Sequence, residues 1–186
     1  MFVLESNVRI RIVLIDKLIF VFDYLKPNLL ELVTDPSPLL LKKSSEISKI
    51  DKETEQLISD MFFTMRKNNG VGLAAVQVGV LKRVIVMDIP NLEDMPHYFL
   101  KPCVMINASI RSYGKDFMSF DEGCLSFPGL SIHTHRPRKI VVDFLDHEGK
   151  KHREKIHGGI LSICIQHEID HTNGIIFTTK GDIVQE

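Results

Sequence analysis

The stretch His167-Glu168-Ile169-Asp170-His171 lies between Gly158-Gly159 and Asn173-Gly174, and it constrains this chain more than any other. The paired glycines mark a break and Asn-Gly is a helix-ending signal, so the spacing predicts one helix between them. On a helix, positions i and i+4 sit one turn apart on the same face, so both imidazoles can reach one metal ion. Glu168 is offset by one residue and projects beside such an ion. His, Glu and His in this order are the pattern of metal-assisted hydrolysis, with the carboxylate as proton shuttle. Ile160, Cys164, His167 and His171 share a helical face with Ile163 beside it. That apolar stripe is expected to look into the core. One inward His is commonly a neutral core histidine, whereas two at this spacing around a Glu are read as ligands.

A catalytic site of this type needs three protein ligands and an open position. Beyond His171 the only carboxylates are Asp182 and Glu186, so the third ligand is sought upstream. Cys124 lies in Glu122-Gly123-Cys124-Leu125-Ser126-Phe127-Pro128-Gly129. Gly on one side and Pro-Gly on the other describe an irregular turn rather than a strand interior. A thiolate there can face the helix. Its alternative is a small buried hydrophobe, the usual fate of a free Cys, and that reading is given to Cys103 and Cys164. Gly70-Val71-Gly72-Leu73-Ala74-Ala75-Val76-Gln77 packs two Gly, two Ala and an amide closely together. It reads either as a helix end followed by a tight bend, or as a loop whose Gln77 donates a hydrogen bond to developing negative charge. A phosphate loop would need a GKS/T tail, which is missing.

The rest of the chain sets the fold class. Residues 51–67 read as an amphipathic helix with Asp51 as N-cap, Leu57, Ile58, Met61, Phe62 and Met65 on one face, and Asn69-Gly70 as the stop. Arg83–Ile89, Val104–Asn107 and Lys139–Leu145 are β-branched and strand-like, and Asp146-His147-Glu148-Gly149 is a hairpin turn into a charged return strand. Asp35-Pro36-Ser37-Pro38 is a turn. The expected fold is α+β: antiparallel strands packed around a central metal-binding HExxH helix, with a second amphipathic helix. The basic residues Arg136, Arg138, Lys139, Lys150, Lys151, Arg153 and Lys155 read as a solvated hairpin face, because acidic residues are interspersed and no aromatic run accompanies them.

A chain of 186 residues with net charge −1 suits one domain with a real core and gives no global pull toward DNA or membrane. Its three Cys are too few and odd in number for a disulfide framework, so a reducing, cytoplasmic compartment is expected. No apolar run approaches the ~20 residues of a spanning helix. Apolar residues after Arg9 and Arg11 faintly suggest a signal peptide, but Glu5, Asp16 and Asp23 are acidic and no cleavage site follows. Residues 1–28 are therefore read as an N-terminal extension of undetermined role, and 29–186 as one catalytic domain.

Three of these segments, Gly70–Gln77, Glu122–Ser126 and Gln166–His171, resemble in sequence and order the signature motifs of the peptide deformylase family. The resemblance covers roughly residues 29–180. It implies a metallohydrolase that removes the formyl group from N-formylmethionyl nascent peptides. It also implies a metal held by Cys124, His167 and His171, with Fe2+ in cells and Zn2+, Ni2+ or Co2+ able to replace it. By the same resemblance, Glu168 is general base and acid, and Gln77 with the Leu125 backbone N–H forms the oxyanion hole. Val71, Gly72, Glu122, Leu125, Ile163 and Cys164 then lie near the methionine pocket and peptide path. Thr172 departs from the family's usual Leu. The chain stops at Glu186, without the long C-terminal helix tied to ribosome docking in many members, so ribosome contact is expected to be weak. A zinc endopeptidase and a non-catalytic metal- or ribosome-binding relative are the alternative readings.

Overall fold

The computed structural model describes residues 26–90, 97–100 and 102–183. Residues 1–25, most of the expected N-terminal extension, lie outside them. Among the described residues, eight strands run in chain order: β1 Gly72–Ala74, β2 Val84–Met87, β3 Cys103–Tyr113, β4 Phe117–Cys124, β5 Phe127–Pro137, β6 Ile140–Leu145, β7 Lys151–Ile156 and β8 Gly181–Ile183. Helix α1 spans Lys52–Lys67 and α2 spans Gly159–Thr172. Strands pair antiparallel into a five-stranded sheet, β1-β2-β3-β6-β7, and a three-stranded sheet, β4-β5-β8. The architecture is α+β, as the sequence predicts.

Both faces of the larger sheet are covered, and the residue alternation shows why. Val84 and Val86 of β2, with Val104 and Ile106 of β3, face Ile58, Met61, Phe62 and Met65 of α1. Ile85 and Met87, with Met105, face Leu161, Cys164, Ile165 and Ile169 of α2. A strand buried on both sides reads as a continuous apolar run, which is the reason Arg83–Ile89 carries no polar alternation. Each such side chain contributes about 1.5–3 kcal/mol on burial.

Local chemistry sets the ends of both helices. Asp51 accepts a hydrogen bond from the Thr54 backbone N–H (3.0 Å), Glu53 and Glu55 lie in the first turn of α1, and Arg66 and Lys67 in its last. These charges complement the helix dipole. Helix α2 ends where Gly174 (φ +73) turns away; a Cβ there would come within 2.4 Å of the Leu41 carbonyl oxygen. Only glycine fits that approach.

Three sequence expectations change. Helix α2 has no single inward stripe, because Leu161–Ile169 are all buried, while Ile160 is 38% exposed. The cause is position: one side meets the large sheet and the other meets β4 and β5, so the helix is enclosed. Cys124 ends strand β4 at a register irregularity instead of lying wholly in a turn. Gly72–Ala74 is a short strand, and Ala75–Val78 a 3-10 turn, where a helix end and bend were one reading. The Asp35–Pro38 turn and the Asp146–Gly149 hairpin turn form as expected.

Candidate metal centre

Helix α2 brings His167 and His171 side by side, with their Nε2 atoms 3.2 Å apart. Cys124, delivered by the end of β4, places Sγ 3.2 Å from His171 Nε2. The three donor atoms lie within 4.8 Å of one another. This is the only such donor cluster among the described residues. His167 is held from behind. His167 turns Nδ1 to Glu122 Oε2 (2.8 Å), which directs Nε2 toward the cluster. Glu122 in turn accepts from both Arg136 Nε and Nη2, and from the Thr134 hydroxyl. Arg136 Nη1 reaches Asp170 Oδ2 on α2 (2.7 Å). A buried ionic chain therefore fastens β4, β5 and α2 at the site.

The electrostatics suit a cation. Burial alone would lower the basicity of His167, but hydrogen bonding to Cys124 and Glu122 outweighs it and holds the imidazolium to about pH 10. Burial, and then the charge on His167, drive His171 toward the neutral form. Burial would raise Glu122, but hydrogen bonds from His167 and Arg136 bring it down to about 2. With no ion bound, the donors carry one positive charge as the His167 proton, which a metal ion would displace. A thiolate and two imidazoles are a donor set for a borderline divalent metal, and His171 presents Nε2 to both of the other donors. The donors fit a metal ion in chemistry and in spacing.

Glu168 is 4% exposed and stands beside the donors; its Oε2 is buried without a hydrogen-bond partner among the described residues. Burial pushes its carboxyl up to about 7; the His167 charge opposes this and Glu122 adds to it. A carboxyl near 7 can both take and return a proton at neutral pH. Gln77 is buried, and its Oε1 accepts from the Ala74 N–H (2.9 Å). That bond leaves the amide NH2 pointing at Ser126 Oγ (3.2 Å) and Cys124 Sγ (3.5 Å). Gly72 is required by proximity, since a Cβ there would meet Glu168 Oε1 at 2.5 Å and Cys164 Sγ at 2.8 Å.

The expected residues converge. Val71, Gly72, Gln77, Glu122, Cys124, Leu125, Ile163, Cys164, His167 and Glu168 line one cavity of about 650 Å³. His171 lies behind it, 1% exposed. Phe127 and Ile160 add apolar wall. Burial pushes the Cys164 thiol well up, and burial does the same to Cys103, so neither is an available thiolate. Sequence reasoning missed Arg136, which it placed on a solvated face; it is 4% exposed. The signal was present as a period of two, because Ile132, Thr134 and Arg136 alternate on the inner face of β5.

A family model described as polypeptide deformylase matches residues 29–185. A peptide deformylase of Zymomonas mobilis is 40% identical over 149 residues, covering 80% of this chain and 84% of that protein. One from Brachyspira hyodysenteriae is 43% identical over 158 residues, covering 84% and 82%. Among solved structures, peptide deformylase from Ehrlichia chaffeensis superposes with TM-score 0.75 at 41% identity, covering 82% of this chain and 88% of that one. The enzyme from Synechococcus elongatus, solved in complex with actinonin, does so with TM-score 0.75 at 37% identity, covering 84% and 80%.

Proposed function

Because the chain belongs to the polypeptide deformylase family, it is a hydrolase that removes the N-formyl group from formylmethionine at the start of new polypeptides, and we propose how its own residues perform that step. Cys124, His167 and His171 hold the metal, which makes α2 the central metal-binding helix of the fold. The observation that carries this is the 4.8 Å cluster of Sγ and two ring nitrogens, next to a buried carboxyl with an unpaired oxygen. A divalent ion held by one thiolate and two neutral imidazoles keeps a net positive charge, and it supplies Lewis acidity that eases ionisation of water and polarises a carbonyl.

Glu168 takes the proton of the attacking water at its Oε2 and returns it to the amine nitrogen as the formyl C–N bond breaks. The products are formate and a free N-terminal amine. The Gln77 amide and the Leu125 N–H donate to the carbonyl oxygen as it gains charge. Support for the first donor is the Ala74 bond, which fixes which end of the amide faces the site. The methionine side chain occupies the apolar part of the cavity, against Val71, Leu125, Ile163 and Cys164. The peptide behind it adds as a strand beside the cavity, where β1 and β4 each end a sheet of the described residues.

Fe2+ is the proposed ion in cells, with Zn2+, Ni2+ or Co2+ as substitutes. Fe2+ next to a thiolate is oxygen-sensitive. Three free cysteines support a reducing, cytoplasmic setting, and no helix among the described residues is long and apolar enough to cross a membrane. Residues 29–186 are proposed as one catalytic domain. Formate release from formyl-Met-Ala-Ser, measured anaerobically beside metal analysis, tests the reading. Cleavage of internal bonds in unformylated peptides, with no formate released, would overturn it.

A further inference from the structure

The outer face of the three-stranded sheet carries a second group of imidazoles that the reaction does not use. His133 and His135 are two residues apart on β5, so they project from the same face. That face is opposite the one carrying Ile132, Thr134 and Arg136, which are buried toward the metal centre. His133 Nδ1 lies 2.5 Å from Asp121 Oδ1, its cross-strand partner on β4. His135 Nδ1 lies 2.9 Å from Ser119 Oγ, again its cross-strand partner. When each Nδ1–H donates to its oxygen, each Nε2 keeps its lone pair. A carboxylate behind an imidazole is the arrangement that orients metal-ligating histidines, and the buried centre uses it too, in Glu122 behind His167.

The rings stand within a side-chain rotation of sharing one ion. Their centroids are 5.6 Å apart with planes at 85°. Two imidazoles binding one tetrahedral ion at the usual Zn–N length have centroids about 5.2 Å apart. The catalytic pair stands at 4.9 Å and 73°. Asp182 on β8 pairs in register with His133 from the other side and adds negative charge to the same face.

We propose that His133 and His135 form a second, surface divalent-cation site, taking a borderline ion such as Zn2+ through their two Nε2 atoms. Asp121 and Ser119 set the rings, and water completes the coordination. Nitrogen donors alone favour Cu2+, Ni2+ and Zn2+ over Mg2+ or Ca2+.

Zn2+ titrated into the full metal-free chain, followed by calorimetry and elemental analysis after dialysis, counts the sites. The parent should take two equivalents. His133→Ala/His135→Ala should take one, with an unchanged circular dichroism spectrum. Cys124→Ala should also take one, and the three changes together should take none. His135→Gln alone serves if the double variant does not fold, and it too should lose the second equivalent. Asp121→Asn should weaken the second equivalent and spare the first. One equivalent in the parent, or a second equivalent surviving loss of both imidazoles, overturns the proposal. Two equivalents in Cys124→Ala overturn instead the assignment of the buried ligand set.

Discussion

At the scale of single residues, the proposed mechanism separates groups that hold the ion from groups that move protons. Cys124→Ala removes one of three converging donors, so metal content should fall with activity. Cys103→Ala should keep the metal, because that thiol is buried in the apolar core. Equal metal in Cys124→Ala and the parent, by elemental analysis, would displace Cys124 from the ligand set. Glu168→Ala should keep near-stoichiometric metal, while formate release drops by at least ~10²-fold, the lower range for general acid–base catalysis. Near-parent turnover with metal bound would mean that another group moves the proton. The His167–His171 pair and its Glu were legible in sequence because a helix repeats every 3.6 residues, so their geometry is local. The Gln77 contact with Ser126 spans 49 positions. Sequence reasoning nominated its amide, and the Ala74 N–H that orients it is a near neighbour; the distant part is that the turn after β1 meets the segment joining β4 to β5, which sets Cys124 and Ser126 opposite the amide.

At the scale of elements, the buried chain Asp170–Arg136–Glu122–His167 ties helix α2 to the smaller sheet. Removing the cation leaves Glu122 buried with too few partners. Arg136→Met should therefore destabilise the fold by about 3–5 kcal/mol, the cost of breaking a buried pair on one side, and should loosen metal retention through His167. Urea midpoints and metal off-rates measure the two effects; a loss below ~1 kcal/mol would make the pair ornamental. The β6–β7 hairpin offers a pH test. Burial raises the Asp146 carboxyl, but the His152 bond and the Lys150 and Glu148 backbone N–H groups outweigh it and leave the pKa below its ordinary value. A depressed folded pKa gives stability that is present above the ordinary carboxylate range and is lost as pH falls through the depressed value. Asp146→Asn should thus be less stable than the parent at neutral pH, and the gap should close in acid. A gap constant down to acid pH would remove the charge from the account. Strands β4 and β5 escaped the sequence reading because Gly123, Pro128, Gly129 and Pro137 interrupt their runs. Cross-strand pairing, from Phe117 opposite Pro137 to Glu122 opposite Ile132, makes them strands all the same.

At the scale of the molecule, the family match begins at residue 29, and the chain is anchored to α1 from there. The Asn28 N–H donates to Asp60 (2.7 Å), and the Leu30 N–H to Thr64 Oγ1 (2.9 Å). Deleting residues 1–25 spares both bonds, so metal binding and formate release should stay within a few-fold of the full chain. Loss of activity with an intact fold would make the extension part of the site. The sequence by itself determined what depends on near neighbours: the extents of α1 and α2, the spacing of His167, Glu168 and His171, and the strand-like run of β2. It also carried the three motifs that assign the family. Only the tertiary structure decided what depends on distant chain segments meeting. It enclosed α2 between the two sheets, brought Cys124 to two histidines more than forty positions away, and turned Arg136 from an apparent surface charge into a buried strut. It also set His133 and His135 against Asp121 and Ser119. The reason is that periodicity encodes which way a side chain points along its own element, whereas its partner is set by strand register and by the packing of one element on another.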